Sequence, residues 1–259
     1  MKETIYTIPI NEAFDRRDGC PMCELSRNLE QSSLEYIMGA AMMEPDVRLK
    51  TNEQGFCHRH LQFMLGENNK LSLALMLESH LPELDKTVFD KAINVSGKKS
   101  AGKLRFLQEL RVHQSQRDDQ STPDSKPRRD LQKVSAAARA ADNGCYICGR
   151  VSVFMRRYYE NMLHMWKNEL DFREKFNSQP YFCVPHYADL VACAEDILPR
   201  NRQPVFIEDL SRICGSYLKT LNDDISEFCK SFDYRFAGRD MSAEARDAVE
   251  RAARFLTGG

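Results

Sequence analysis

The sequence predicts an all-α fold, and three observations carry that expectation. Apolar residues recur at intervals of three and four along several stretches. Signals for strands, such as β-branched clusters or Asn-Gly hairpin turns between alternating runs, are scarce. The chain also matches itself at a fixed shift, and both copies carry the helical spacing. With 259 residues, 42% hydrophobic and 29% charged, it can bury a sizeable core and has neither a disordered nor a collagen-like composition.

The elements follow in chain order. The opening MKETIYTIPINEAFDRRDGC mixes acids and bases and holds no apolar signal core, so a cytoplasmic location is expected. Leu25, Leu29, Leu34, Ile37 and Met38 then make a helical stripe. Asp46 is expected to cap a short helix, VRLKTN, and Asp171 its counterpart, FREKFN. Leu71 to Leu81 reads as a largely buried helix stopped by Pro82. Its apolar run is far below the roughly 20 residues that cross a bilayer, and no membrane span is expected. Residues 94–130 are polar and read as a linker, with apolar residues for a short helix at Leu104 to Val112. Val151, Phe154, Tyr158, Met162 and Met165 mark the next helix, and Ile207 to Phe232 a long one striped by Leu210, Cys214, Tyr217, Leu221, Ile225 and Phe228.

At a shift of 125, Gly19-Cys20-Pro21-Met22-Cys23 falls on Gly144-Cys145-Tyr146-Ile147-Cys148. Glu44, Asp46, Arg48, Lys50, Asn52 and Gln54 fall on Glu169, Asp171, Arg173, Lys175, Asn177 and Gln179. One inserted residue then aligns Phe56-Cys57-His58-Arg59-His60 with Phe182-Cys183-Val184-Pro185-His186. The expected organisation is a first helical repeat over 1–93, the linker over 94–130, and a second repeat with the long C-terminal helix over 131–259, the two packed together.

Two cysteines separated by two residues offer both sulfurs to one ion, and a second pair far along the chain completes a tetrahedron. Taking each copy as one site, Cys20, Cys23, Cys57 and His60 form the first set, and Cys145, Cys148, Cys183 and His186 the second. Pro21 puts Cys20 at the mouth of a helix, where free N–H groups favour thiolate. Cys57 and His60 lie about one turn apart at an expected helix start and so share a face. The copy selects His60 over His58, because the residue matching His58 is Val184. Thiolate and imidazole without carboxylate favour zinc, two ions per chain. Iron, an iron–sulfur cluster and a metal-free redox dithiol are the alternatives. The dithiol reading lacks a surrounding βαβ pattern and leaves the Phe-Cys-x-x-His motifs unused.

The remaining groups have plainer readings. Cys193, Cys214 and Cys229 read as packing residues, and His80, His113 and His164 as surface or packing histidines. Met165 continues an apolar stripe, which argues against a haem role for His164-Met165-Trp166. Arg48 and Arg173 belong to the capped short helices, with contacts to the thiolates as the alternative.

A net charge of −1 gives no global attraction for nucleic acid or anionic lipid. There is no phosphate loop, no HExxH and no defensible Ser/His/Asp order, and a closed four-ligand site has no position for substrate. The expected role is non-enzymatic binding or regulation through a protein partner, with thiol redox or iron–sulfur chemistry as the alternative. MKETIYTIPINEAF, GCPMCEL, EPDVRLKTNEQGFCHRH, CYIC, YFCVPH and FDYRF resemble an uncharacterised bacterial family, a domain of unknown function, over most of the chain outside the linker. Its members are sometimes labelled transporter substrate-binding proteins. A secretion signal, a lipobox and a two-lobed α/β pattern, which that label requires, are not found. The resemblance supports the fold and the ligand set and implies no activity.

Overall fold

A computed structural model describes residues 5–90, 126–236 and 240–259, and no strand occurs among them. The helices are α1 (Thr7–Arg16), α2 (Pro21–Met38), α3 (Pro45–Gln54), α4 (His58–Gly66), α5 (Lys70–Leu84), α6 (Lys126–Asn143), α7 (Tyr146–Asn168), α8 (Leu170–Asn177), α9 (Val184–Ile197), α10 (Gln203–Ser231), α11 (Ala243–Arg246) and α12 (Ala248–Thr257). The duplication is a repetition of helix starts: α2, α3 and α4 begin at the positions matched by the starts of α7, α8 and α9.

Local chemistry explains these boundaries and corrects two expectations. Proline occupies the first position of α2 and α3, where its missing N–H has no helical partner to lose. Gly55, at a φ of 61°, ends α3 and returns its N–H to the Thr51 carbonyl at 2.9 Å. Asp46 and Asp171 are not the caps. They sit inside the first turns of α3 and α8, behind Glu44 and Glu169, where a carboxylate still meets the positive helix end. Nor does Pro82 stop its helix: α5 continues to Leu84 and relaxes into a π turn over Asp85–Phe89. Leu71 and Leu81 are exposed, so α5 is only partly buried, through Leu73 and Met76, and keeps apolar residues on its open face. Most of the expected linker, with the helix at Leu104 to Val112, lies outside the described residues, while the chain is helical from Lys126.

The chain forms two compact units, Met1–Gln31 with Val151–Gly259, and Ser32–Arg150. They do not coincide with the repeats at 1–93 and 131–259. The reason is that α2 and α7 each run through a boundary, so either copy divides its residues between both units.

The core of the first unit is aromatic. Phe14 of α1 lies 5.1 Å from Phe172 of α8 between ring centres, Phe176 stacks on Phe182 at 4.9 Å, and Trp166 of α7 meets Phe206 of α10 edge-on at 5.0 Å. Arg173 lies over the Trp166 ring and pairs with Asp209 at 3.0 Å. Along α10, Leu210, Cys214 and Leu221 are buried, as the stripe required. Its last turns outrun the core, leaving Cys229 and Phe232 exposed, so Cys229 is not a packing residue. The second unit has a smaller core, built on Leu34, Ile37, Val47, Met64, Leu73 and Met76. There α3 packs on α5, and Arg48 donates to the Leu75 carbonyl at 2.7 Å. Both arginines are thus engaged away from the thiolates.

Candidate metal centres

All eight sequence-derived ligands lie in the same local setting. Cys20, Cys57, Cys145 and Cys183 immediately precede α2, α4, α7 and α9, and Cys23, His60, Cys148 and His186 are the third residues of those helices. The residue before a helix and the third one inside it face the same side of the first turn. Each Cys-x-x-Cys or Cys-x-x-His is therefore a two-pronged ligand aimed along a helix start, where unpaired N–H groups favour anionic sulfur. The backbone N–H of Cys148 approaches the Cys145 sulfur at 3.5 Å.

The structure groups these prongs across the copies. One centre is Cys20, Cys23, Cys183 and His186, the other Cys57, His60, Cys145 and Cys148, and within each centre the ligand atoms lie within 4.8 Å of one another. The sets Cys20, Cys23, Cys57, His60 and Cys145, Cys148, Cys183, His186 are thereby corrected. Spacing cannot separate the two pairings, because either Cys-x-x-Cys can complete either Phe-Cys-x-x-His. The path of α2 and α7 through both units decides it, carrying each Cys-x-x-Cys away from the Phe-Cys-x-x-His of its own copy.

In the first unit, His186 Nδ1 lies 3.1 Å from Cys183 Sγ, 3.3 Å from Cys23 Sγ and 3.7 Å from Cys20 Sγ, and the Cys23 and Cys183 sulfurs are 3.5 Å apart. In the second, His60 Nδ1 lies 3.2 Å from Cys57 and Cys145 and 3.4 Å from Cys148, with Cys57 and Cys148 sulfurs 3.9 Å apart. Metal–sulfur bonds of about 2.3 Å and metal–nitrogen bonds of about 2.0 Å in a tetrahedron imply separations of about 3.8 Å between sulfurs and about 3.5 Å from sulfur to nitrogen. The donor sets fit a single four-coordinate ion. His60 is buried and His58 exposed, matching their counterparts' division of labour.

Left to themselves, these groups would share protons in an arrangement suited to a cation. Burial pushes the Cys20 thiol up, while hydrogen bonds from Cys183 and Cys20 hold Cys23 far down. Burial opposes charge on His186, but the Cys183 and Cys23 sulfurs prevail and raise it to about 10. In the second unit burial works against the Cys145 thiolate, yet His60 and the backbone N–H of Cys148 bring it down to about 6. Burial, followed by Cys145, pushes Cys148 up to about 12.

The centres differ in cover. Cys20, Cys23 and Cys183 are buried in the aromatic core, and Gly258 at the end of α12 lies against the Cys23 and Cys183 sulfurs. A β-carbon on Gly258, whose φ is 76°, would lie 3.6 Å from the Cys183 sulfur and 3.8 Å from that of Cys23. In the second unit Cys57 and Cys145 are half-buried and Cys148 is exposed. That centre is instead braced from behind. The Tyr146 N–H donates to the Gly55 carbonyl at 3.0 Å, and a β-carbon on Gly144 would clash with the Gln54 backbone oxygen. The equivalent Gly19 has only the Tyr181 hydroxyl nearby, at 3.9 Å, and Pro21 has no N–H to donate. The glycine before each Cys-x-x-Cys was visible in the sequence, but nothing there distinguished the two, and Gly258 carried no signal at all.

The remaining candidates stand outside both ligand sets. Cys214 is buried and Cys193 half-buried against the first core. The ring of His80 bonds the Asn52 carbonyl at 3.0 Å, His164 is exposed, and His113 lies outside the described residues. Met165 and Trp166 belong to the core. Among the described residues no helix is long and apolar enough to cross a membrane.

The model of DUF6062, a family of unknown function, matches residues 1–259, and the chain belongs to that family. No curated protein and no solved structure matches it.

Proposed function

We propose that the protein is a zinc-binding helical protein whose two Cys3His centres are structural, and that it acts by non-enzymatic binding or regulation through a protein partner. The observation that carries this reading is the convergence of four helix-start prongs into two sets at single-ion separations, with three sulfurs, one imidazole and no carboxylate in each. A cluster would place its cysteines on different irons and so spread them further than one ion's ligands, which favours zinc over iron–sulfur. With four protein ligands the ion has no position for water or substrate, which favours a structural role over a catalytic one. Three thiolates per site persist best where thiols stay reduced, in keeping with the cytoplasm.

The test is elemental analysis with an absorption spectrum. Two zinc ions per chain in a colourless preparation are expected; a brown protein carrying iron and inorganic sulfide refutes the metal assignment. Because such sites are organised only on folding, their binding free energy is folding free energy. Chelation should therefore lower helicity, and an unchanged circular dichroism spectrum after verified metal removal refutes the structural role.

A further inference from the structure

The two centres have the same donor atoms, each set at helix starts, and they differ most plainly in access. In the first unit Cys183 has no exposed surface and Cys23 only 6%. In the second, Cys148 is exposed to solvent, and Cys57 places its sulfur 3.9 Å away. That gap is close to sulfur van der Waals contact, and a disulfide of about 2.05 Å needs only a short approach of the two. The Cys23 and Cys183 sulfurs are as near each other, and a pocket lined by Cys20 and Cys23 reaches one wall of that centre, but Cys183 is fully buried and Cys23 nearly so beneath Gly258, which leaves an incoming reagent far less sulfur to attack.

We propose that the second unit's centre is a redox-responsive metal-release site, reacting with small-molecule disulfides, while the first unit's centre is permanent. This rests on the zinc reading above and deepens it. The Cys148 thiolate attacks one sulfur of the small disulfide, forming a mixed disulfide and expelling the first small thiolate. The Cys57 thiolate then attacks the Cys148 sulfur, forming the Cys57–Cys148 bond and expelling the second. Two protein thiolates have lost two electrons, and the reagent has gained them as two small thiolates. The ion, left with Cys145 and His60, departs as a dication with its charge unchanged. The disulfide joins the starts of α4 and α7, the same helices the ion had joined. Reduction by excess thiol regenerates both thiolates and the site.

The experiment uses the whole protein as purified. Metal is counted first: a count other than two zinc ions fails the zinc reading and this proposal with it, whereas the release and mapping results fail this proposal alone. The protein is then exposed to oxidised glutathione with a zinc-binding dye present, and its cysteines are mapped by alkylation and mass spectrometry. One equivalent of zinc should appear at least about tenfold faster than the second, since opening the buried site requires local unfolding. At that point Cys57 and Cys148 should be joined, and Cys20, Cys23 and Cys183 protected. Dithiothreitol followed by zinc should return the count to two per chain. Simultaneous release of both ions, oxidation at Cys20, Cys23 or Cys183 first, or a Cys148 still free after the first release overturns the proposal.

Discussion

The crossed pairing can be tested by counting ions in double mutants. Cys20→Ser removes one sulfur from the first unit's centre and should leave one zinc per chain, held by Cys57, His60, Cys145 and Cys148. Adding Cys183→Ser strikes the same centre, so the count should stay at one. Adding Cys57→Ser instead strikes the other centre, and the count should fall to zero. Pairing within each copy predicts the reverse. Stability should follow the same logic. A structural zinc is worth on the order of 10 kcal/mol of apparent binding free energy, comparable with the whole stability of a typical domain, about 5–15 kcal/mol. Once Cys20→Ser has emptied its site, Cys183→Ser has only a buried side chain left to disturb, costing about 1–3 kcal/mol. The two should therefore be strongly non-additive, whereas Cys20→Ser with Cys57→Ser should approach the sum. Native mass spectrometry gives the counts and urea unfolding the energies. One zinc retained by Cys20→Ser/Cys57→Ser, with none in Cys20→Ser/Cys183→Ser, refutes the assignment.

Further outcomes follow from the same geometry. His60→Ala should empty the second unit's site, whereas His58→Ala, at an exposed position, should keep two zinc ions and change stability by no more than about 0.5 kcal/mol, as read by metal analysis and thermal melting. Gly144→Ala places a β-carbon on the Gln54 carbonyl and should cost more than about 2 kcal/mol, while Gly19→Ala should cost less than about 1 kcal/mol; equal midpoints in urea would contradict this. A chain cut within residues 94–125 should migrate as one particle in gel filtration until chelated, because each ion holds ligands from both sides of the cut. Zinc loading should release protons at pH 7, since Cys20 is raised, His186 sits near 10 and Cys148 near 12 in the metal-free protein. These protons oppose the metal, so affinity should climb with pH through this range and fall on acidification, with the released protons measured by calorimetry in buffers of different ionisation enthalpy.

The parts of this structure that were legible in the sequence are those written in local periodicity. The stripe at Leu210, Cys214 and Leu221 required a buried helix face, and the offset from Cys57 to His60 required one side of a first turn. The Cys-x-x-Cys and Cys-x-x-His prongs could be read because each is fixed by its own helix start, a matter of four consecutive residues. The partner of each prong is a long-range choice, and a duplicated sequence makes the alternatives nearly equal in every local term. What separates them lies where α2 and α7 cross between the units. The misreadings at Asp46, Pro82 and Cys229 have the same origin on a smaller scale: helix ends depend on what the neighbouring segment covers, which periodicity does not record.

Exposure follows a similar rule and bears on function. The two centres have the same donor atoms, but α12 brings Gly258 over Cys23 and Cys183. Cys148, in the second centre, is exposed. The two sites repeat one donor pattern, and the C-terminal segment adds cover to one of them. If that is the cause of their difference, Gly258→Asp should act on the first centre alone. The added carboxylate would stand against two buried thiolates in a backbone conformation that L side chains rarely adopt, weakening that zinc while the second unit's zinc keeps its release rate. A Gly258→Asp protein that holds both ions as tightly as before would show that the aromatic core, and not the end of α12, protects the first site.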